Sequence, residues 1–474
     1  MQFLPVDFRI AGIAAGIRDG RFSAESVATE VLDRFDRFQH LGTLISQDPA
    51  ALLEAARRAD RVRASGGPLG PLHGVPILIK DNIDTKDLPS SAGTPALERD
   101  YPRANAPVVE RLLNAGALVA GKANLYELAV GGTSLNLHFG RVANPWRLNC
   151  IAGGSSSGSA AAVAARLVPG ALGTDTNGSV RGPCSLSGIT GFRPSFQRYP
   201  GGGVMPVTPT RDSVGIMANS VSDLALLDAA AGAQTFQLTE IDLAGVRLGR
   251  PRDDFYAVMD DRTARVIDAA IALLEEHGAI IIDADLPGLA ELTAKAAWTI
   301  SAYEVPRDIS AYLEQRGTSL TIDEIVSKIA SPVVRERFNP SAVDLKKLEA
   351  PYRKAMEVYR PQLQKMLKDY FTEHRVSAIV FPTTPFPAPE IDDDNADLVI
   401  NGKLIKGGFA RVINNTVHQS AAGIPSLVVP AGLTDDGLPV GLSFDGLDGS
   451  DRQLLAIGKA FEEIRGPFPL PPLD

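Results

Sequence analysis

Cysteine is almost missing from this chain of 474 residues, which carries only Cys150 and Cys184. With no CxxC spacing, the pair supplies neither a disulfide framework nor a zinc site. A surplus of positive charge is missing too. Against 56 Asp+Glu stand 47 Lys+Arg, a formal net charge of −9. That balance argues against nucleic acid as the main partner, because phosphate binding needs a basic footprint. Long apolar runs are also absent. The longest uncharged stretches, Leu148 to Ala165 and Val412 to Thr434, are interrupted by Gly, Ser, Asn and Pro, so no membrane span is expected. Asp7 and Arg9 break the N-terminus before the apolar segment of a signal peptide could form. No internal repeat recurs at a fixed period. These absences leave a soluble, cytoplasmic protein as the expectation.

What is present is an ordinary globular composition, 45% hydrophobic and 22% charged. The length suits two or three average domains or one large α/β domain, with core enough to need no disulfide or metal. Helix-like and strand-like segments alternate, predicting an α/β fold on a mainly parallel sheet. Asp48 and Pro49 form an N-cap and first-turn pair for a helix over Ala50 to Arg63. Pro76 to Lys80 is a short buried strand. Pro107 to Ala115 is a helix closed by Gly116, followed by a strand over Ala117 to Ala120. Gly158 to Leu167 is an Ala-rich helix, and Thr263 to His277 is an amphipathic helix ending at Gly278. Val376 to Phe381 and Ser426 to Val429 are further apolar strands. From about Leu286 to His374 the alternation stops and the chain turns charged and helical, punctuated by Pro306, Pro332 and Pro351. A helical subdomain packed on one side of the sheet and a cap that shapes a substrate pocket both fit this stretch.

Chemistry concentrates in two loops, Gly153-Gly154-Ser155-Ser156-Ser157-Gly158-Ser159 and Gly173-Thr174-Asp175-Thr176-Asn177-Gly178-Ser179-Val180-Arg181. A phosphate-cradling loop fits poorly, since no lysine follows Gly158. A nucleophile elbow fits formally, because Gly154 to Gly158 matches G-x-S-x-G and makes Ser156 the nucleophile. It requires a later histidine, and neither His277, His374 nor His418 sits in a setting that marks it as a base. The third reading pairs serines from both loops with a lysine base, a known variant of Ser-His-Asp logic. Such a lysine must be neutral, and burial lowers its pKa. Lys80, at the end of the apolar run Val75 to Ile79, suits that need, although a lysine at a strand end is usually just solvated.

The stretch from Gly153 to Pro194, together with Gly74-Val75-Pro76-Ile77-Leu78-Ile79-Lys80-Asp81, resembles the amidase signature family. Gly121-Lys122-Ala123-Asn124, Glu127-Leu128-Ala129, Phe381-Pro382-Thr383 and Ala422-Gly423-Ile424-Pro425 through Pro439-Val440-Gly441 extend the resemblance over nearly the whole chain. It implies a large open, twisted, mixed and mainly parallel sheet covered by helices on both faces. It implies one domain over 1–474, with a signature core at 60–220 and a helical cap-like insertion at about 286–374. Carried over by position, it implies a Ser-cisSer-Lys triad. Ser179 is then the nucleophile, Ser155 the bridging serine after a cis peptide bond, and Lys80 the base. Backbone N–H groups of Thr176, Asn177, Gly178 and Ser179 would form the oxyanion hole. Ser156, Asp175 and Arg181 match the supporting residues, and Gly131, Gly132 and Thr133 match the loop lining the acyl site. Neutral Lys80 would draw the proton of Ser155, and Ser155 that of Ser179. Ser179 Oγ would attack an amide carbonyl, and water would cleave the acyl-enzyme. No cofactor and no metal is required.

Two loop positions depart from the family pattern: Asn177 and Ser157 stand where glycine is common. If position 177 has φ > 0, Asn is among the least costly non-glycine choices. Its side chain could instead add a donor to the pocket. The runs Ser91 to Leu97, Arg198 to Gly201 and Thr208 to Asp212 look most similar to the indoleacetamide and mandelamide hydrolases. They imply a small aryl or arylacetamide-type primary amide, cleaved to acid and ammonia. Phe139, Trp146 and Trp298 are candidate pocket aromatics, although single aromatics are more often core. Two rivals share the resemblance. One is a urea or carbamate hydrolase of the biuret type, since Asn177 occurs in some such relatives. The other is the glutaminase subunit of a tRNA-dependent amidotransferase, which needs partner chains. The expected partner is a small amide, without nucleic acid or membrane, and a homodimer is left open.

Overall fold

The computed structural model describes residues 8–338, 344–391, 396–407 and 414–473. Asp7 and the first residues of the stretch from Val412 lie outside them. The expected elements form close to their expected bounds, and their ends follow from local chemistry. Helix α1 (Pro49–Ala64) starts where the Asp48 side chain accepts the Ala51 N–H at 2.9 Å, with Pro49 in the first turn. Helix α2 (Pro107–Asn114) ends before Gly116, whose φ of +95° a side chain would resist. Helix α3 (Ser157–Ala164) is shorter than the Ala-rich run, because Arg166 turns to a φ of +58°. Helix α4 (Arg181–Ser187) follows the second loop, and α5 (Asp261–Glu276) is capped by Asp260.

Eleven strands form one sheet: β1 (Leu44–Ser46), β2 (Pro76–Lys80), β3 (Leu118–Ala123), β4 (Gly170–Asp175), β5 (Thr190–Arg193), β6 (Ser213–Ala218), β7 (Arg247–Gly249), β8 (Ile280–Ile282), β9 (Ala378–Pro382), β10 (Ser426–Leu433) and β11 (Pro439–Asp445). Their order is β1-β3-β2-β4-β6-β5-β10-β11-β9-β7-β8, open at both edges among the described residues. Every residue of β2, β4, β5, β6, β9 and β11 is buried. A strand buried on both faces needs cover on both, and helices provide it. The sheet is mixed, as expected, but antiparallel pairs outnumber the parallel ones that were expected to dominate. Four neighbouring pairs run parallel and six antiparallel. Short connections explain the antiparallel share: β10 and β11 are joined by a tight turn in which Thr434 N–H donates to Leu438 O at 2.8 Å.

The stretch after Leu286 folds as α6 (Leu289–Arg316), α7 (Ile322–Lys328), α8 (Pro332–Phe338), α9 (Leu345–Lys354) and α10 (Arg360–His374). Helix α6 bridges two apolar clusters. Ala297 packs with Leu363, Leu367 and Phe381, while Ile309 and Leu313 pack with Leu97, Tyr126 and Phe338. Glu127 fastens this region to the rest by accepting the N–H groups of Ala330 at 3.0 Å and Ser331 at 2.8 Å. Among the described residues no helix is long and apolar enough to cross a membrane.

Candidate active site

Lys80 ends β2, after four buried residues, so its side chain begins inside the protein and stays there. Nζ donates to Ser155 Oγ and to Thr174 Oγ1, both at 2.7 Å. Burial pushes its pKa down to about 7, against the pull of the Asp175 and Asp212 carboxylates. A lysine with a substantial neutral fraction near pH 7 can accept a proton, which an exposed lysine, almost wholly charged there, cannot.

Ser155 follows a cis Gly154–Ser155 peptide bond. A Cβ on Gly154 would overlap the Thr133 carbonyl, so close packing, beyond any turn, demands glycine there. The Ser156 N–H donates to Ser179 O at 3.2 Å, tying the two serine loops together. The Ser156 hydroxyl turns the other way, donating to Thr174 O and accepting from Thr174 N–H, each at 3.3 Å. Ser179 is half-buried and lines a cavity.

Asp175, the last residue of β4, organises the loop between the serines. Its carboxylate accepts Arg181 Nε at 3.0 Å, Arg181 Nη2 at 2.9 Å and Arg193 Nη1 at 3.2 Å. Burial alone would raise its pKa, yet the Arg181 and Arg193 guanidinium groups outweigh it and hold the carboxyl well below the usual range. It also accepts the Gly178 N–H at 3.0 Å and the Val180 N–H at 3.2 Å. The Gly178 amide, one of the four expected at an oxyanion, is therefore engaged by a carboxylate. The Asn177 and Ser179 amides have no partner among the described residues. The positive φ of this loop falls on Gly178, at +107°, and not on Asn177. Asn177 stands where it does for its side chain, whose oxygen accepts Arg211 Nη2.

The cavity has a volume of about 480 Å³. Gly131 and Gly132 line it beside Thr176, Asn177 and Ser179, and Val207 adds an apolar side chain. Thr133 does not; it is buried behind Gly154. Helix α6 supplies Trp298, Ser301, Ala302 and Val305 to the opposite wall, and Glu336 and Arg337 come from α8. Of the candidate aromatics only Trp298 reaches this space. Trp146 packs edge-on against Phe468 and donates its indole N–H to Ser187 O at 2.9 Å, while Phe139 packs against His138. Among the described residues no histidine lines the cavity: His418 is buried between Phe255 and Phe381 with Nε2 at 2.9 Å from Asp445.

Several residues in the arrangement carry no role in the sequence reading. Thr174 accepts Lys80 and Asn82, at 2.7 and 3.1 Å. Asp212 accepts Thr176 Oγ1 at 2.5 Å, and burial raises its pKa. Arg193 and Arg211 are fully buried cations. Only an arginine at the end of a short uncharged strand, as Arg193 is in β5, hints at this from sequence.

Comparison with known proteins places the chain among amide hydrolases. The family profile described as Amidase matches residues 26–455. An indoleacetamide hydrolase of Agrobacterium vitis is 38% identical over 94% of this chain and 95% of its own. A mandelamide hydrolase of Pseudomonas putida is 38% identical over 97% of this chain and 91% of its own. The peptide amidase of Stenotrophomonas maltophilia superimposes with a TM-score of 0.81 at 27% identity, covering 98% of each chain.

Proposed function

The chain belongs to the amidase family, and from that premise we propose that it hydrolyses small aryl or arylacetamide-type primary amides to acid and ammonia. The observation that carries the reading is one cavity lined by Ser179 together with the apolar side chains of Val207, Trp298 and Val305. Such a wall accepts an aromatic acyl group with its amide carbon at the serine. The names of the relatives from Agrobacterium vitis and Pseudomonas putida support it.

Neutral Lys80 takes the Ser155 proton along their 2.7 Å contact. Ser155, on the loop tied to Ser179 by the 3.2 Å Ser156 N–H to Ser179 O bond, takes that of Ser179, and Ser179 Oγ adds to the amide carbonyl. The Asn177 and Ser179 amides receive the negative charge on the carbonyl oxygen. The proton returns to the leaving nitrogen, ammonia departs, and water cleaves the ester. Ser156, Asp175 and Arg181 position these loops. Helices α6 to α10, the 286–374 stretch, act as the specificity cap of a single domain built on the 60–220 core. We place the protein in the cytoplasm, supported by two cysteines that remain free and buried.

The test compares kcat/KM for phenylacetamide, indoleacetamide, hexanamide, biuret and glutamine. An aryl amide should lead. Biuret or glutamine ahead by more than about tenfold, a gap of roughly 1.4 kcal/mol, overturns the aryl reading in favour of a urea-type hydrolase or a glutaminase.

A further inference from the structure

We propose that Asn177 determines specificity: with its side-chain oxygen held by Arg211, its amide nitrogen donates a hydrogen bond to an oxygen on the acyl part of the substrate, beside the scissile carbonyl. This rests on the aryl amide reading and narrows it to amides bearing an oxygen at the 2-position.

An asparagine side chain has one accepting end and one donating end, told apart by their partners. Arg211 Nη2 meets Asn177 at the end assigned as oxygen, and a guanidinium only donates, so the orientation is forced. Arg211 is itself fixed. It is fully buried; Nη1 donates to Ala297 O at 2.8 Å and Ser301 Oγ at 2.9 Å, and Nη2 also donates to Thr176 O at 3.2 Å and Ser420 Oγ at 3.1 Å.

The nitrogen end of Asn177 has no hydrogen-bond partner among the described residues, while the residue is half-buried and lines the Ser179 cavity. An oriented donor on a mostly apolar wall gains from an acceptor that the ligand brings. Its place on the loop says which acceptor. Asn177 is two residues from Ser179 and lines the same cavity, on the side of the carbon under attack. A hydroxyl or carbonyl oxygen on the next carbon of the acyl group is within such a reach. A glycine at this position has nothing to offer it. Arg211 is then a positioning residue, and helix α6, through Ala297 and Ser301, braces the donor it aims.

The experiment measures kcat/KM for two matched pairs, mandelamide with phenylacetamide and lactamide with propanamide, on native enzyme, Asn177→Gly and Arg211→Met. The native enzyme should favour the 2-hydroxy member of each pair by about tenfold. Asn177→Gly should bring both ratios close to one, and Arg211→Met should lower them in the same direction. Native ratios near one, or ratios that survive Asn177→Gly because both members lose equally, overturn the proposal and leave Asn177 a purely structural residue. The aryl reading is judged separately in the same data. If the aliphatic pair is cleaved faster than the aryl pair, that reading fails, while the hydroxyl ratios still decide Asn177.

Discussion

Lys80 Nζ lies 2.7 Å from Ser155 Oγ and forms no ion pair among the described residues. On the neighbouring strand Lys122 is equally buried, but it stands 3.5 Å from the Asp81 carboxylate and donates to Ile83 O at 2.7 Å. Burial lowers both pKa values, to about 7 for Lys80 and about 8 for Lys122. The difference in partners separates a base from a structural cation. A lysine facing only hydroxyl groups gives up its proton without leaving a buried carboxylate unpaired.

Activity should therefore follow the protonation of Lys80. Below its pKa the side chain is charged and cannot accept a proton, so kcat/KM should rise with pH through about 7 and level off above it. Lys80→Ala should lose at least about 10²–10⁴-fold in turnover and the acid limb with it. Circular dichroism should show the fold retained. A pH profile unchanged in Lys80→Ala would contradict the assignment.

Lys122→Met should act on stability instead. It strands Asp81, buried and otherwise held by Ser91 N–H at 2.9 Å, without its cation. Removing one partner of a buried pair typically costs ~3–5 kcal/mol. Urea unfolding should show a loss of that order, and whatever activity remains should keep the native acid limb.

Gly178→Ala should damage catalysis. Its φ of +107° disfavours any side chain, and a Cβ would overlap Thr416. The loop must shift, taking the Asn177 and Ser179 amides with it. Loss of one oxyanion donor costs about 10²–10³-fold in kcat, and a comparable fall is expected here in steady-state kinetics.

Trp298→Ala should act on binding. Trp298 is 49% exposed yet lines the cavity, so it is a wall and not a core residue. The indoleacetamide KM should rise about tenfold, within the ~1–3 kcal/mol a methylene is worth in an apolar pocket. Hexanamide should be affected less. Equal effects on both would remove Trp298 from the acyl site.

The parts of this arrangement legible in sequence are those set by neighbours along the chain. An apolar strand ending in Lys80 announces a buried lysine, and Asp48-Pro49 announces a helix start. The contacts that decide the rest are long-range. That Asp175 would draw away the Gly178 amide depends on Arg181 and Arg193 converging from a helix and a strand. That Asn177 needs its side chain and not its backbone freedom depends on Arg211, 34 positions later. Trp298 and Trp146 look alike as lone aromatics, and only packing sends one to the cavity and the other against Phe468. Sheet polarity was similarly hidden, because the β10–β11 turn carries its signal in Thr434 and Gly437, not in apolar periodicity.

Lys80, acting through Ser155, makes Ser179 the nucleophile. Labelling with a serine-directed fluorophosphonate, mapped by peptide mass spectrometry in native enzyme, Lys80→Ala and His418→Ala, tests it most directly. The account predicts an adduct on Ser179 alone in the native enzyme, the same adduct in His418→Ala, and labelling slowed at least about 10²-fold in Lys80→Ala. An adduct on Ser156 with Ser179 unmodified, or fast labelling in Lys80→Ala that disappears in His418→Ala, would contradict it.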